Sequence, residues 1–88
     1  MKTIVASIGR GGLNRTDDVR LVQALLNRHI QAPQRPLVID GVMSARTSAA
    51  IAAFQRRVLN IHPPDGRINP GDRTMAALTR QAEQTPTL

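Results

Sequence analysis

One short pattern occurs twice in the chain, and this duplication constrains the fold more than any other feature. Each copy has Asp-Gly, a polar stretch, then threonine, with alanine and an aliphatic residue three and four positions later. The two copies are Asp40, Gly41 and Thr47, and Asp65, Gly66 and Thr74. Asp-Gly is typical of a turn, and the later spacing is typical of a helix with one buried face. The duplication therefore predicts the same turn-to-helix joint built twice.

The composition favours packed helices around an aliphatic core. The chain has 88 residues, which is enough for one small domain. Phe54 is its only phenylalanine, and it has no tyrosine or tryptophan, so the core must come from smaller aliphatic residues and methionine. Such a core suits helices better than a β-sandwich or barrel. The absence of cysteine excludes disulfides, thiolate metal sites and cysteine catalysis.

Hydrophobic periodicity predicts three helices. The first covers residues 19–30 behind an N-cap at Thr16 or Asp17, the second covers 45–59 behind Ser44, and the third covers 72–81. The residues expected to face the core are Val19, Val22, Leu25, Leu26, His29, Ile30, Thr47, Ala50, Ile51, Phe54, Val58, Ala77 and Leu78. The predicted fold class is all-α, a small bundle-like domain of three helices.

The predicted domain organisation has three parts. Residues 1–15 are polar and glycine-rich, which indicates an irregular N-terminal arm that Ile4, Val5 and Ile8 attach to the body. Residues 16–82 form the domain, and residues 83–88 form a flexible tail or linker.

The charge balance indicates an anionic partner. Twelve basic residues, eleven of them arginine, outnumber six acidic ones, giving a net charge of +6. This charge fits three kinds of partner: nucleic acid, an anionic membrane surface, or a polymer with carboxylates. It also fits a charged surface that only keeps the protein soluble. A helix-turn-helix protein is disfavoured because the connections between helices are long and proline-rich, so no nucleic acid is expected.

Three segments in this order resemble the peptidoglycan-binding domain attached to many bacterial and phage cell-wall hydrolases. The resemblance covers residues 15–80, and the residues that carry it are Val19, Val22, Gln23, Leu26, Asp40, Gly41, Thr47, Ala50, Ile51, Phe54, Gln55, Asp65, Gly66, Thr74 and Leu78. The chain departs from the family where Met43-Ser44-Ala45 replaces Phe-Gly-Pro, and where the second copy is two residues longer. The resemblance implies non-catalytic binding of peptidoglycan and no cofactor.

Four residues are the predicted ligand contacts, namely Arg46, Arg67, Asn69 and Arg73. They lie beside the two joints, where arginine forks can bind the carboxylates of the peptidoglycan peptides. Stacking on sugars is disfavoured because tyrosine and tryptophan are absent. Each arginine has the alternative of being a solvated surface charge.

The repeated motif itself is expected to hold the fold. The turn aspartates and glycines, the two threonines, Gln23 and Gln55 are interpreted as structural, with helix-to-loop hydrogen bonds from the glutamines. Direct ligand contact by Asp40 and Asp65 is the alternative.

Catalysis by this chain is not expected. Glycoside hydrolysis usually needs two carboxyl groups across a cleft. Glu83, the only glutamate, lies in the polar tail, and Asp17 and Asp18 are interpreted as helix-start residues. Two histidines without cysteine make a poor zinc site, so no metal and no catalytic residue is predicted. A module that docks a protein onto a secretion or phage machine remains the alternative function.

The N-terminal sequence shapes the expected localisation. It lacks the long apolar region of a secretory signal, and no apolar run is long enough to span a membrane. We therefore expect a protein that is cytoplasmic before delivery and acts in the periplasm or cell wall. Phage lysis or type VI secretion of an effector would supply the route.

Overall fold

Three helices and a two-stranded sheet make up the part of the chain that the structure describes. A computed structural model describes residues 3–30 and 32–83, with side chains described up to residue 80. In chain order the elements are β1 (Ile8–Gly9), α1 (Thr16–Asn27), α2 (Ala45–Val58), β2 (Arg67–Ile68) and α3 (Arg73–Glu83). The prediction of a small all-α domain with three helices is confirmed. No helix in these ranges is long and apolar enough to cross a membrane.

The start of α1 differs from the prediction. The helix begins at Thr16. Asp17 and Asp18 lie in its first turn, where acidic side chains interact favourably with the partial positive charge of the helix N-terminus. The predicted cap at Thr16 or Asp17 is wrong, because Arg15 takes the N-cap position and makes no capping bond with its side chain.

The end of α1 also differs, because its last turn tightens. The His29 amide donates to the Leu26 carbonyl at 2.8 Å, three residues back, so the helix ends at Asn27 rather than at residue 30. The Asn27 side-chain amide pairs with the backbone of Leu37. It accepts from the Leu37 amide at 2.7 Å and donates to the Leu37 carbonyl at 3.0 Å. This pair holds the proline-containing loop against α1.

Side-chain caps start the other two helices. The Ser44 hydroxyl accepts from the Thr47 amide at 3.2 Å, as predicted for α2. The Asp72 carboxylate accepts from the Met75 amide at 2.9 Å, so α3 begins at Arg73 and extends to Glu83, beyond the predicted end at residue 81.

The core lies between the helices and includes the segment before α1. The buried hydrophobic residues are Ile4, Ile8, Val19, Val22, Leu26, Leu37, Ile51, Phe54, Ile68, Met75, Ala77 and Leu78. Leu25, Ile30, Ala50 and Val58, predicted to face inward, are partly buried and pack against this core.

The N-terminal segment is fixed to the body by backbone pairing and by one buried carboxylate. In the antiparallel sheet, Ile8 pairs with Ile68. Asp18 is 4% exposed and accepts from the amides of Val5 at 2.9 Å and Ala6 at 3.0 Å. Thus Asp18 binds the preceding chain. The division at residues 15/16 and 82/83 remains a prediction, and residues 84–88 of the predicted tail lie outside the described residues.

Candidate functional site

A buried glutamine organises the first joint. Gln23 is 1% exposed, and its amide nitrogen donates to the Asp40 carboxylate, the Val42 carbonyl and the Thr47 hydroxyl, each at 3.1 Å. Its amide oxygen accepts from the Gly41 backbone at 2.9 Å. Two hydrogens are shared among three acceptors. We call Gln23, Asp40, Gly41 and Thr47 the first node, and it ties α1 to the turn before α2.

The second joint repeats this arrangement. Gln55, also 1% exposed, donates to the Asp65 carboxylate at 2.8 Å, the Arg67 carbonyl at 3.0 Å and the Thr74 hydroxyl at 3.2 Å. Its oxygen accepts from the Gly66 amide at 2.9 Å. We call Gln55, Asp65, Gly66 and Thr74 the second node. The same four residue types thus tie α2 to the turn before α3.

Hydrogen bonds favour the charged form of both turn aspartates. The Val42 amide donates to Asp40 at 2.9 Å, and this bond, followed by that from Gln23, holds the pKa of Asp40 below its ordinary value of 3.8. The Arg67 amide donates to Asp65 at 3.1 Å, and this bond is the main reason why the pKa of Asp65 is also lowered. A carboxyl group whose pKa is lower in the folded than in the unfolded state stabilises the fold at pH values above its unfolded-state pKa. That contribution is lost as the pH falls through the lowered pKa.

The second joint is longer because it contains β2. Its cap, Asp72, lies six residues after Gly66, whereas Ser44 lies three residues after Gly41. The node threonine is one position earlier in α3 than in α2, which gives the net difference of two residues. The extra length lets this joint pair with the N-terminal segment.

The structure separates the four predicted ligand residues. The Arg67 side chain donates to the Asn69 side-chain oxygen at 2.9 Å, which also accepts from the Ser7 hydroxyl at 2.6 Å. Arg73 is exposed at the first position of α3. Arg46 is exposed at the other joint, where it donates to the Arg35 carbonyl at 3.3 Å. Over residues 3–30 and 32–80, no hydrogen bond joins Arg46 to the other three.

Arg46 borders a groove of about 490 Å³ between α1, the loop 32–37 and α2. The floor is apolar, and three arginines, one histidine and one glutamine complete the lining. The lining residues are Leu26, His29, Ile30, Gln34, Arg35, Leu37, Arg46, Ala49, Ala50, Ala53, Phe54 and Arg57. We call it the arginine groove. Sequence reasoning missed Arg35 and Arg57, although a helical stripe from Arg46 through Ala49, Ala50 and Ala53 to Arg57 was visible in the sequence.

His29 forms part of the groove wall. Its ring meets the Phe54 ring edge-on, with centroids 4.9 Å apart. The buried Nε2 atom has no hydrogen-bond partner among the described residues. Burial, and then the nearby charge of Arg57, lowers the pKa of His29 below 6.5. Within the described ranges, no group of three histidine, cysteine or acidic residues could hold a metal ion.

Replacing Gly41 with alanine should destabilise the domain more than the same change at Gly66. Both have positive φ, +75° and +68°, which costs an alanine about 1–2 kcal/mol. A Cβ at Gly41 would also lie 2.5 Å from the methyl group and 2.9 Å from the carbonyl oxygen of Thr16. At Gly66 the nearest atom, the Ser48 hydroxyl, is 3.9 Å away. Urea unfolding followed by circular dichroism measures both losses, and equal losses would contradict this account.

Comparison with protein families agrees with this architecture. The family model for the peptidoglycan binding domain matches residues 15–78, which is 64 of the 88 residues. The match includes both nodes, α1, α2 and the first half of α3. No curated protein and no solved structure gives a significant match. The chain belongs to the peptidoglycan-binding domain family.

Proposed function

We propose that this chain is a non-catalytic module that holds a cell-wall hydrolase or a secreted effector on peptidoglycan. The observation that carries the proposal is the family match over residues 15–78. Membership supports peptidoglycan as the partner and points to the cell wall or periplasm as the site of action. Such a module raises the effective concentration of its companion enzyme at the polymer.

The companion is the finer part of the proposal. A module that only binds needs an enzyme to change the wall, so we propose a hydrolase domain attached to it or associated with it. A phage lysis protein and an effector of a type VI secretion system are the two contexts proposed.

The proposed ligand contacts are Arg46, Arg67, Asn69 and Arg73. Arg46 and Arg73 are exposed, and exposed guanidinium groups can grip a carboxylate with two parallel hydrogen bonds. The Arg67 Nε donates to the Asn69 side-chain oxygen at 2.9 Å, and its Nη1 donates to the Arg10 carbonyl at 3.4 Å. Three of its five donors remain for a ligand.

Replacing Arg46 with alanine should reduce retention on insoluble, protein-free peptidoglycan sacculi by about tenfold, because a charge-assisted bond is lost. The thermal unfolding midpoint should barely change, since Arg46 is exposed and makes one long bond to a carbonyl. Arg56→Ala is the matched control, because Arg56 is exposed on α2 outside the groove lining. Undiminished retention of the Arg46 variant would remove Arg46 from the proposed contacts.

Binding measured at two salt concentrations, on sacculi and on duplex DNA, distinguishes peptidoglycan binding from nucleic-acid binding and from protein docking. We expect retention on sacculi to survive moderate salt while binding to duplex DNA stays weak. Tight DNA binding that falls steeply with salt would indicate a nucleic-acid partner. No retention on sacculi at low or moderate salt would overturn peptidoglycan binding and favour a protein-docking module.

A further inference from the structure

We infer that the arginine groove receives the peptide stem of peptidoglycan, with Arg35, Arg46 and Arg57 binding the stem's carboxylates. The inference rests on the proposed function and assigns Arg35, Arg57 and His29 to ligand binding. It names the peptide, rather than the glycan strand, as the part of the polymer that the groove recognises.

The groove is positive because the chain's own carboxylates are engaged elsewhere. Four of the six acidic side chains accept backbone amides, namely Asp18, Asp40, Asp65 and Asp72. No acidic residue of the described chain lines the groove, and none forms an ion pair with its three arginines. An occupant with carboxylates therefore meets a complementary charge at the groove rim.

The arginines keep most of their donors. Arg46 gives one 3.3 Å bond to the Arg35 carbonyl, and Arg57 gives one 3.3 Å bond to the His29 carbonyl. Each guanidinium carries five donors, so four remain on each. Both side chains are exposed and line the groove, so their remaining donors can form two-donor forks with carboxylates.

The floor fits short aliphatic side chains. Ala49, Ala50 and Ala53 line it from α2, Leu26 lines it from α1, and Leu37 lines it from the loop. Peptidoglycan stems combine alanine methyl groups with free carboxylates, which matches an apolar floor with a cationic rim. In intact peptidoglycan the N-acetyl sugars are uncharged, because the lactyl carboxyl group of N-acetylmuramic acid is amide-bonded to the stem. They would leave the arginines without anionic partners.

The aromatic content argues in the same direction. Sugar sites often present an aromatic face for stacking, but Phe54 is 1% exposed. The chain has no tyrosine or tryptophan. No phenylalanine, tyrosine or tryptophan face is therefore open in the groove for a sugar ring to stack on.

His29 supplies a polar atom for a ligand. Its buried Nε2 has no partner in the described part of the chain, although buried polar atoms are normally hydrogen-bonded. In neutral imidazole this nitrogen accepts from an amide or donates to a carboxylate, according to its tautomer. A peptide backbone offers both kinds of group.

Nuclear magnetic resonance titration of the full chain tests the inference with three probes. These are the free stem tetrapeptide, the same peptide with its carboxylates converted to amides, and a β-1,4-linked N-acetylglucosamine oligosaccharide, which carries no carboxylate. We expect the tetrapeptide to shift the backbone amide signals of Ala49, Ala53 and Arg57. The amidated peptide should bind at least about tenfold more weakly, since it has lost the charge-assisted bonds. The oligosaccharide should leave these signals unchanged.

Two neighbouring arginines provide matched variants. Arg57→Gln should weaken tetrapeptide binding by about tenfold. Arg56→Gln removes the same charge from the neighbouring residue. Because Arg56 does not line the groove, this variant should change tetrapeptide binding by less than about twofold. Retained dispersion of the amide signals shows that both variants are folded.

Several results would overturn the inference and leave wall binding intact. The chain would be retained on sacculi, yet the tetrapeptide would shift residues of the second joint instead of the groove, or the uncharged N-acetylglucosamine oligosaccharide would shift the groove. Equal weakening in both glutamine variants would indicate non-specific attraction. Equally tight binding of an unrelated peptide with a free carboxyl terminus would favour a protein partner. No retention on sacculi would remove the proposed function and this inference together.

Discussion

Replacing Phe54 with alanine should lower the free energy of unfolding by about 3–5 kcal/mol. The side chain is 1% exposed, belongs to the core and contacts the edge of the His29 ring. Removing it takes away the largest fully buried side chain among the described residues. Domains of this kind are stable by roughly 5–15 kcal/mol, so the loss is a large part of the total.

The measurement is urea unfolding followed by far-ultraviolet circular dichroism, because the chain has no tryptophan to report by fluorescence. Phe54→Leu is the matched control, since it keeps most of the volume and should cost less than about 1.5 kcal/mol. Arg56→Ala, on the exposed side of the same helix, should be close to neutral. A loss below about 1 kcal/mol for the alanine variant would contradict this role of Phe54 in the core.

Replacing Gln55 with glutamate should destabilise the domain by about 3 kcal/mol or more at neutral pH, because a hydrogen-bond donor becomes a buried charge. Glutamate has nearly the same shape but cannot donate to Asp65, to the Arg67 carbonyl or to Thr74. It also places a second carboxylate where the glutamine nitrogen now lies 2.8 Å from Asp65.

The pH dependence distinguishes this mechanism from simple loss of packing. Burial and the Asp65 charge should raise the pKa of a glutamate at position 55 in the folded state. A raised folded-state pKa means that the variant recovers stability relative to the parent as the pH falls from 7 to 5. The same unfolding measurement at both pH values checks this.

Gln34→Glu is the matched control for that experiment. It makes the same chemical change at an exposed loop position and should alter stability by less than about 0.5 kcal/mol at either pH. A loss at position 55 that is identical at pH 7 and pH 5 would contradict the electrostatic explanation.

Local sequence patterns were sufficient for much of the fold. Asp-Gly predicts a turn, Ser44 predicts a cap, and the spacing from Thr47 to Ile51 and Phe54 predicts an inward helix face. Each signal involves residues within one or two helical turns. The family resemblance added the order of these local pieces along the chain, which the match over residues 15–78 confirms.

The misses involve side chains whose partners are distant in sequence. The Asn27 side chain pairs with Leu37, and the Asp18 carboxylate binds amides twelve and thirteen residues earlier. Both look like ordinary polar positions on a helix. A short polar side chain can bond locally or at long range, and periodicity does not distinguish the two.

By itself, the sequence determined the three helices, the two repeated turns and the family, because these depend on local backbone preference and hydrophobic spacing. The tertiary structure decided how deeply Gln23 and Gln55 are buried and how Ile8 pairs with Ile68. It also decided that Arg35 and Arg57 border one groove. The burial of a side chain and the charge of a groove depend on residues from elements that are far apart in the sequence. Only tertiary packing brings those elements together.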